Sequence, residues 1–185
     1  MKQMKKTEMN KLQKAIHGFF CAFRGIAFCV RHERHMRIHL VATAYVLYFA
    51  SFYDFGASEY AVLVLTCLLI MVLELINTSI EVVIDKVSPK YNVFAMIGKD
   101  IAAGAVFLGA IGSVAVGVIM FWDVDVFIKI GQYFMSDILK LAILLATVIL
   151  SVIFVLRTKK RRTGAQRSIA KKQDIKIEKK GKDND

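Results

Sequence analysis

Several things common in soluble enzymes are scarce in this sequence. One proline, Pro89, stands in 185 residues, so only one proline-enforced chain break is expected. The three cysteines, Cys21, Cys29 and Cys67, have no metal-ligand spacing, which leaves free thiols as the expectation. There is no Gly-x-x-x-x-Gly-Lys-[Ser/Thr] loop and no protein-kinase motif set, so a nucleotide site would have to be unconventional. The N-terminal basic residues continue through Lys11 and Lys14 with no cleavage motif after them, so a signal peptide is not expected. Basic charge is also sparse in the middle. Lys86, Lys90, Lys99, Lys129 and Lys140 are the only Lys or Arg between Leu40 and Leu156.

Apolar residues fill the space. The chain is 56% hydrophobic with a mean hydropathy of +0.50, too apolar for a soluble domain of this size. Its net charge of +11 gathers before Leu40, between Lys86 and Lys99, and after Leu156. Clustering beside apolar runs fits the positive-inside rule better than nucleic-acid binding, so no nucleic-acid partner is expected.

The expected fold is an all-α integral membrane protein. Residues 1–11 are polar, basic and expected to be disordered. From Leu12 to Val30, apolar Leu12, Ile16, Phe19, Phe20, Phe23, Ala27 and Val30 repeat at three and four, predicting an amphipathic helix in the cytoplasmic interface. Spans are predicted at about 38–55, 60–85 and 100–121, and a fourth at 138–156. Residues 86–98 are expected to form a loop broken by Pro89, 122–137 an outer loop, and 157–185 a basic cytoplasmic tail. In the third span Ala105, Gly109, Ser113 and Gly117 recur every four residues, a ladder that lets helices approach closely. Alternating spans put every basic cluster and both termini in the cytoplasm, and the acidic turns outside.

The chemistry concentrates in Glu74-Leu75-Ile76-Asn77-Thr78-Ser79-Ile80-Glu81-Val82-Val83-Ile84-Asp85. On a helix, Glu74, Asn77, Glu81 and Asp85 fall at i, i+3, i+7 and i+11 and line one face. Asp85 and Glu81 could sit in the interface. Glu74 lies about 16 Å deeper at 1.5 Å per residue, beyond snorkelling reach. Acids inside a membrane helix are costly and mark functional sites.

This segment resembles the signature of the prokaryotic diacylglycerol kinase family, small integral-membrane lipid kinases that include the undecaprenol kinases of Gram-positive bacteria. The pattern Glu-x-x-Asn-[Ser/Thr]-[Ala/Ser]-x-Glu-x-x-x-Asp is met at every fixed position. Two further blocks, Lys99-Asp100-Ile101-Ala102-Ala103-Gly104-Ala105-Val106 and Arg31-His32-Glu33-Arg34-His35-Met36-Arg37-Ile38-His39-Leu40, are similar to family blocks, and the likeness covers about residues 12–121. It implies a three-span kinase core to which the fourth span is an addition. It further implies Glu74 as the general base on the lipid hydroxyl, with Asn77 orienting the reacting groups. Glu33 and Glu81 would bind the Mg²⁺ of Mg-ATP, and Asp85 would support them. Lys99 would lie on the phosphates and Asp100 on the nucleotide. Tyr91 and Asn92 would lie in the loop touching the nucleotide, and Lys14 stands where some members carry arginine facing it. Asn92 replaces a frequent histidine, and Cys21 an aromatic residue of some members. The resemblance also implies a homotrimer with shared sites. The Glu33 and Lys99 blocks look most like Gram-positive members, which points to undecaprenol as substrate and diacylglycerol second.

Other readings remain at this point. His32, His35 and His39 have helical spacing that could bind zinc. Intramembrane acids also suit a proton- or ion-coupled transporter, although the outer half of the second span, Ala61 to Val72, offers only Thr66 and Cys67. A membrane anchor presenting the basic tail would leave Glu74 and Asn77 unexplained.

Overall fold

Among the described residues, apolar repeats of three and four wind the chain into six helices and no strand. The computed structural model describes residues 11–157, so the disorder expected for the N-terminus and nearly all of the basic tail lie outside the described residues. The helices are α1 (Lys11–His32), α2 (Arg34–Ala50), α3 (Ala57–Val87), α4 (Val93–Phe121), α5 (Val124–Met135) and α6 (Ile138–Leu156).

Three of them, α3, α4 and α6, are long and apolar enough to cross a membrane. The helix expected as the first span, α2, is not among them. It has 17 residues, or about 25 Å, and carries Arg34, His35 and Arg37 at its start. It ends at Ala50 because backbone bonds from Ser51, Phe52 and Tyr53 to Tyr48, Phe49 and Ala50 turn the chain. It nonetheless runs antiparallel to α3 between the same two ends of the bundle. At one end Tyr60 Oη donates to the Ala50 carbonyl (3.3 Å). At the other, Cys29, just before α2, meets Thr78 of α3.

The main packing is α3 on α4. A Cβ on Gly109 would stand 2.6 Å from Leu73 Cδ1 and 3.2 Å from Ile70 Cδ1, so this rung of the ladder is where the two helices touch. A Cβ on Gly117 would meet nothing within 4 Å, so the ladder as a whole is not one contact stripe within the chain.

Two loops are shorter than expected. The break around Pro89 is confined to Ser88–Asn92, because the Asn92 side chain accepts from the Phe94 and Ala95 amides and starts α4 there. Lys99 and Asp100 therefore lie inside α4. The expected outer loop 122–137 holds α5, started by Asp123 accepting from the Asp125 and Val126 amides. Val126 and Phe134 bury its apolar face. Asp137 then caps α6 through the Leu139 amide.

Candidate active site

The site lies where α1 ends, α2 begins and the last turns of α3 meet the first turns of α4. Glu74 is the most buried acid, 2% exposed, one helical turn from buried Thr78. Among the described residues Glu74 has no hydrogen bond or ion pair, and it lies within electrostatic range of His35, Glu33 and Glu81. Asn77 Oδ1, on the same face, is buried and has no hydrogen-bond partner among the described residues. A buried acceptor without a partner is costly, and among the described residues the Asn77 amide oxygen is one, three residues from the buried Glu74 on the same helix.

Glu33 reaches this cluster through the break between α1 and α2. It has extended backbone, φ −105° and ψ 123°, and is half-buried. The break also corrects the zinc reading. His32 ends α1, its Nδ1 against the Phe28 carbonyl (2.9 Å) and its ring stacked on Phe28, whereas His35 and His39 belong to α2. The three histidines share no continuous helix, and among the described residues no group of three or more His, Cys, Asp or Glu could hold a metal ion.

Farther along the row, the Asp85 carboxylate accepts a charge-assisted hydrogen bond from Lys99, tying α3 to α4. Both side chains are partly exposed, so the pair orients more than it stabilises. Asp100 is exposed one residue on. Tyr91 is 81% exposed, and Asn92 acts as a helix cap. Lys14 is exposed on α1, about 27 Å along the helix from His32, so the fold of one chain does not bring it to the cluster.

Sequence reasoning missed the residues that join these parts. Cys29 Sγ and Thr78 Oγ1 share a hydrogen bond of 3.3 Å, pinning the end of α1 to α3 beside Glu74. Burial pushes the Cys29 thiol up from its usual range; the Thr78 bond opposes this, and the carboxylates of Glu74, Glu33 and Glu81 add to it. Thr78 was legible as i+4 from Glu74; Cys29 carried no signal.

Residues 20–121, more than half the chain, match the family model for prokaryotic diacylglycerol kinase. The chain is similar to a diacylglycerol kinase of Synechocystis, 38% identical over 63% of this chain and 67% of the relative. It is also similar to an undecaprenol kinase of Bacillus subtilis, 33% identical over 63% of this chain and 94% of the relative, and to a diacylglycerol kinase of Pseudomonas aeruginosa, 30% identical over 54% and 76%. No solved structure matches. The matched region runs from α1 to the end of α4, holds every residue of the carboxylate cluster, and stops before α5. The acids and the amide on which the family resemblance was drawn all lie within it, and this chain belongs to the prokaryotic diacylglycerol kinase family of membrane lipid kinases.

Proposed function

We propose that this lipid kinase transfers the γ-phosphoryl group of Mg-ATP to the hydroxyl of a membrane lipid alcohol, undecaprenol by preference and diacylglycerol second. The observation that carries the reading is Glu74, a buried carboxylate with no hydrogen bond or ion pair among the described residues, within electrostatic range of Glu33 and Glu81 and sharing its face with an Asn77 oxygen that is likewise without a partner among them. Glu74 accepts the hydroxyl proton as the lipid oxygen bonds to the γ-phosphorus and the bond to the β-phosphate oxygen breaks, releasing ADP. Asn77 orients the hydroxyl.

Glu33 and Glu81 fit a magnesium ion, which is commonly held by one or two carboxylates together with substrate phosphates. Bound there, the ion would neutralise phosphate charge. Lys99, held by Asp85, adds positive charge at the same end. Asp100, Tyr91, Asn92 and Lys14 are assigned to the nucleotide by the resemblance. The distance of Lys14 is compatible with a site shared between subunits of a homotrimer.

Two features support a lipid acceptor. A groove of about 300 Å³ between α2, α3 and α4, lined by Ile70, Leu63, Val114 and Val116 among others, begins one turn from Glu74 and suits an acyl or prenyl chain. The Glu33 block favours undecaprenol. The site end carries Arg24, Arg31, Arg34, Arg37, Lys86, Lys90 and Arg157, and the opposite end Asp54, Glu59, Asp123 and Asp125, so the positive-inside rule turns the site to cytosolic ATP in a bacterial plasma membrane, with both termini inside. A transporter would need polar groups across the bilayer, but Thr66 in the outer half of α3 donates to its own helix at the Val62 carbonyl.

The test is transfer of labelled γ-phosphate by purified protein in mixed micelles offered undecaprenol or diacylglycerol separately, with Glu74→Gln as control. Labelled undecaprenyl phosphate that vanishes in the control supports the whole reading. Preference for diacylglycerol overturns the substrate, and no transfer by folded protein overturns the kinase.

A further inference from the structure

We propose that Arg37 is a positioning residue that aims Glu33 into the site by bolting the α1–α2 break to the end of α6, a helix outside the region matched to the family. The proposal rests on the lipid-kinase reading above for the task of Glu33, but its mechanical half stands on geometry alone.

The break needs an explanation, because Arg31-His32-Glu33-Arg34 contains neither glycine nor proline. Glu33 still donates its amide to the Cys29 carbonyl at 2.8 Å, but beyond that the helix stops. The carbonyls of Val30 and Arg31 are then without amide partners and carry the partial negative charge of a helix C-terminus. The carbonyl of Phe154 lies in the last turn of α6.

One guanidinium serves all three. Arg37 Nε donates to the Val30 carbonyl at 2.6 Å, Nη2 to the Arg31 carbonyl at 3.4 Å, and Nη1 to the Phe154 carbonyl at 2.6 Å. The same group lies 4.7 Å over the centre of the Phe154 ring. A planar fork with donors in several directions can do this, and a lysine ammonium at the end of a flexible stem cannot hold the same three geometries.

Arg37 stands one helical turn after Glu33. Fixing its head on the end of α1 fixes the angle between α1 and α2, and with it the direction in which the extended Glu33 backbone sends its carboxylate. The third bond recruits α6, which has no buried residue of its own and touches the bundle through α2 and α5. Tyr45 Oη and Ser151 Oγ, 3.3 Å apart, add a second polar contact between α2 and α6. The added C-terminal helix is thus a brace for a residue of the kinase core.

The experiment uses the full-length protein in mixed micelles with the lipid alcohol it phosphorylates. Arg37→Gln is expected to raise KM for Mg-ATP about tenfold, the worth of roughly one charge-assisted hydrogen bond, with KM for the lipid unchanged. Arg37→Lys should fall between. Phe154→Ala, which keeps Arg37 and removes the ring beneath it, should shift KM for Mg-ATP the same way by less, and it carries the test if Arg37→Gln does not fold. A second arm needs no activity. In protein carrying Cys21→Ser and Cys67→Ser, maleimide modification of Cys29 should run several-fold faster with Arg37→Gln, because the α1 end is released from α3. A fall in kcat with both KM values unchanged, or a Cys29 rate equal to that of the protein with Arg37 intact, overturns the proposal. If the unaltered protein phosphorylates no lipid, the kinase reading falls while the Cys29 rates still decide whether Arg37 is the bolt.

Discussion

The two ends of the bundle are closed by opposite means. At the end away from the site, rings do the work. Phe52 stacks edge-on with Tyr133 (centroids 5.2 Å apart), Phe49 lies 6.4 Å from Phe134, and Tyr53 and Phe55 lie 5.0 and 5.6 Å from Phe121. The polar atoms there are satisfied locally. Tyr53 Oη donates to the Phe121 carbonyl at 2.8 Å, and burial together with the Asp123 carboxylate pushes its phenol up, so it remains a donor. At the site end Glu74 is 2% exposed, and Asn77 Oδ1 is buried with no hydrogen-bond partner among the described residues. A helix bundle in lipid holds together through packing and satisfied hydrogen bonds, so the first end is what stability alone would produce and the second is what it would avoid. The departure marks the site more clearly than any single acid does.

That contrast can be broken in graded steps. Glu74→Gln keeps shape and removes the base. Phosphoryl transfer should fall by about 10²–10⁴-fold, measured as initial rate with labelled ATP, while the melting temperature holds or rises, since a carboxylate without a partner is replaced by a neutral amide. A parallel loss of activity and stability would mean that Glu74 is structural.

Between the two ends, Gly109→Val should destabilise the protein by about 1–3 kcal/mol, because its side chain would drive into Leu73 and Ile70, where Cβ already meets Leu73 Cδ1. Thermal unfolding in detergent checks this, and an unchanged midpoint would show that the α3–α4 contact yields easily. At the aromatic end, Asp123→Ala removes the cap of α5 and should cost about 1 kcal/mol with kcat unchanged. A change in kcat would couple α5 to the site.

The smallest effect concerns reactivity. Cys29 is 1% exposed and its thiol is pushed up, so thiolate is disfavoured until the pH exceeds the usual cysteine range. Its alkylation should lag behind that of the more accessible Cys21 at neutral pH and gain on it only in alkali. Equal rates at neutral pH would show that α1 leaves α3 often.

Much of this was legible in the sequence. The face made by Glu74, Asn77, Glu81 and Asp85 follows from helical spacing, and α6 spans the same residues, 138–156, that its apolar run marks out. Helices α1, α3 and α4 follow likewise from apolar periodicity, although α4 starts seven residues before the expected 100 because the cap at Asn92 outweighs the polar look of the loop. Helix α5 is hidden in the sequence because Asp123, Asp125 and Asp137 look like turn residues; two of them are caps.

What the sequence by itself determined is therefore whatever depends on neighbours a few residues apart: the helices, the acidic face, and the family motifs riding on them. Tertiary structure alone decided the break at Glu33, the meeting of Cys29 with Thr78, the pairing of Lys99 with Asp85, and the grip of Arg37 on Phe154, 117 residues away. Periodicity records which face of a helix is apolar. It does not record which helix end another helix will meet, and the carbonyls and acids at those ends find partners only once the bundle has closed.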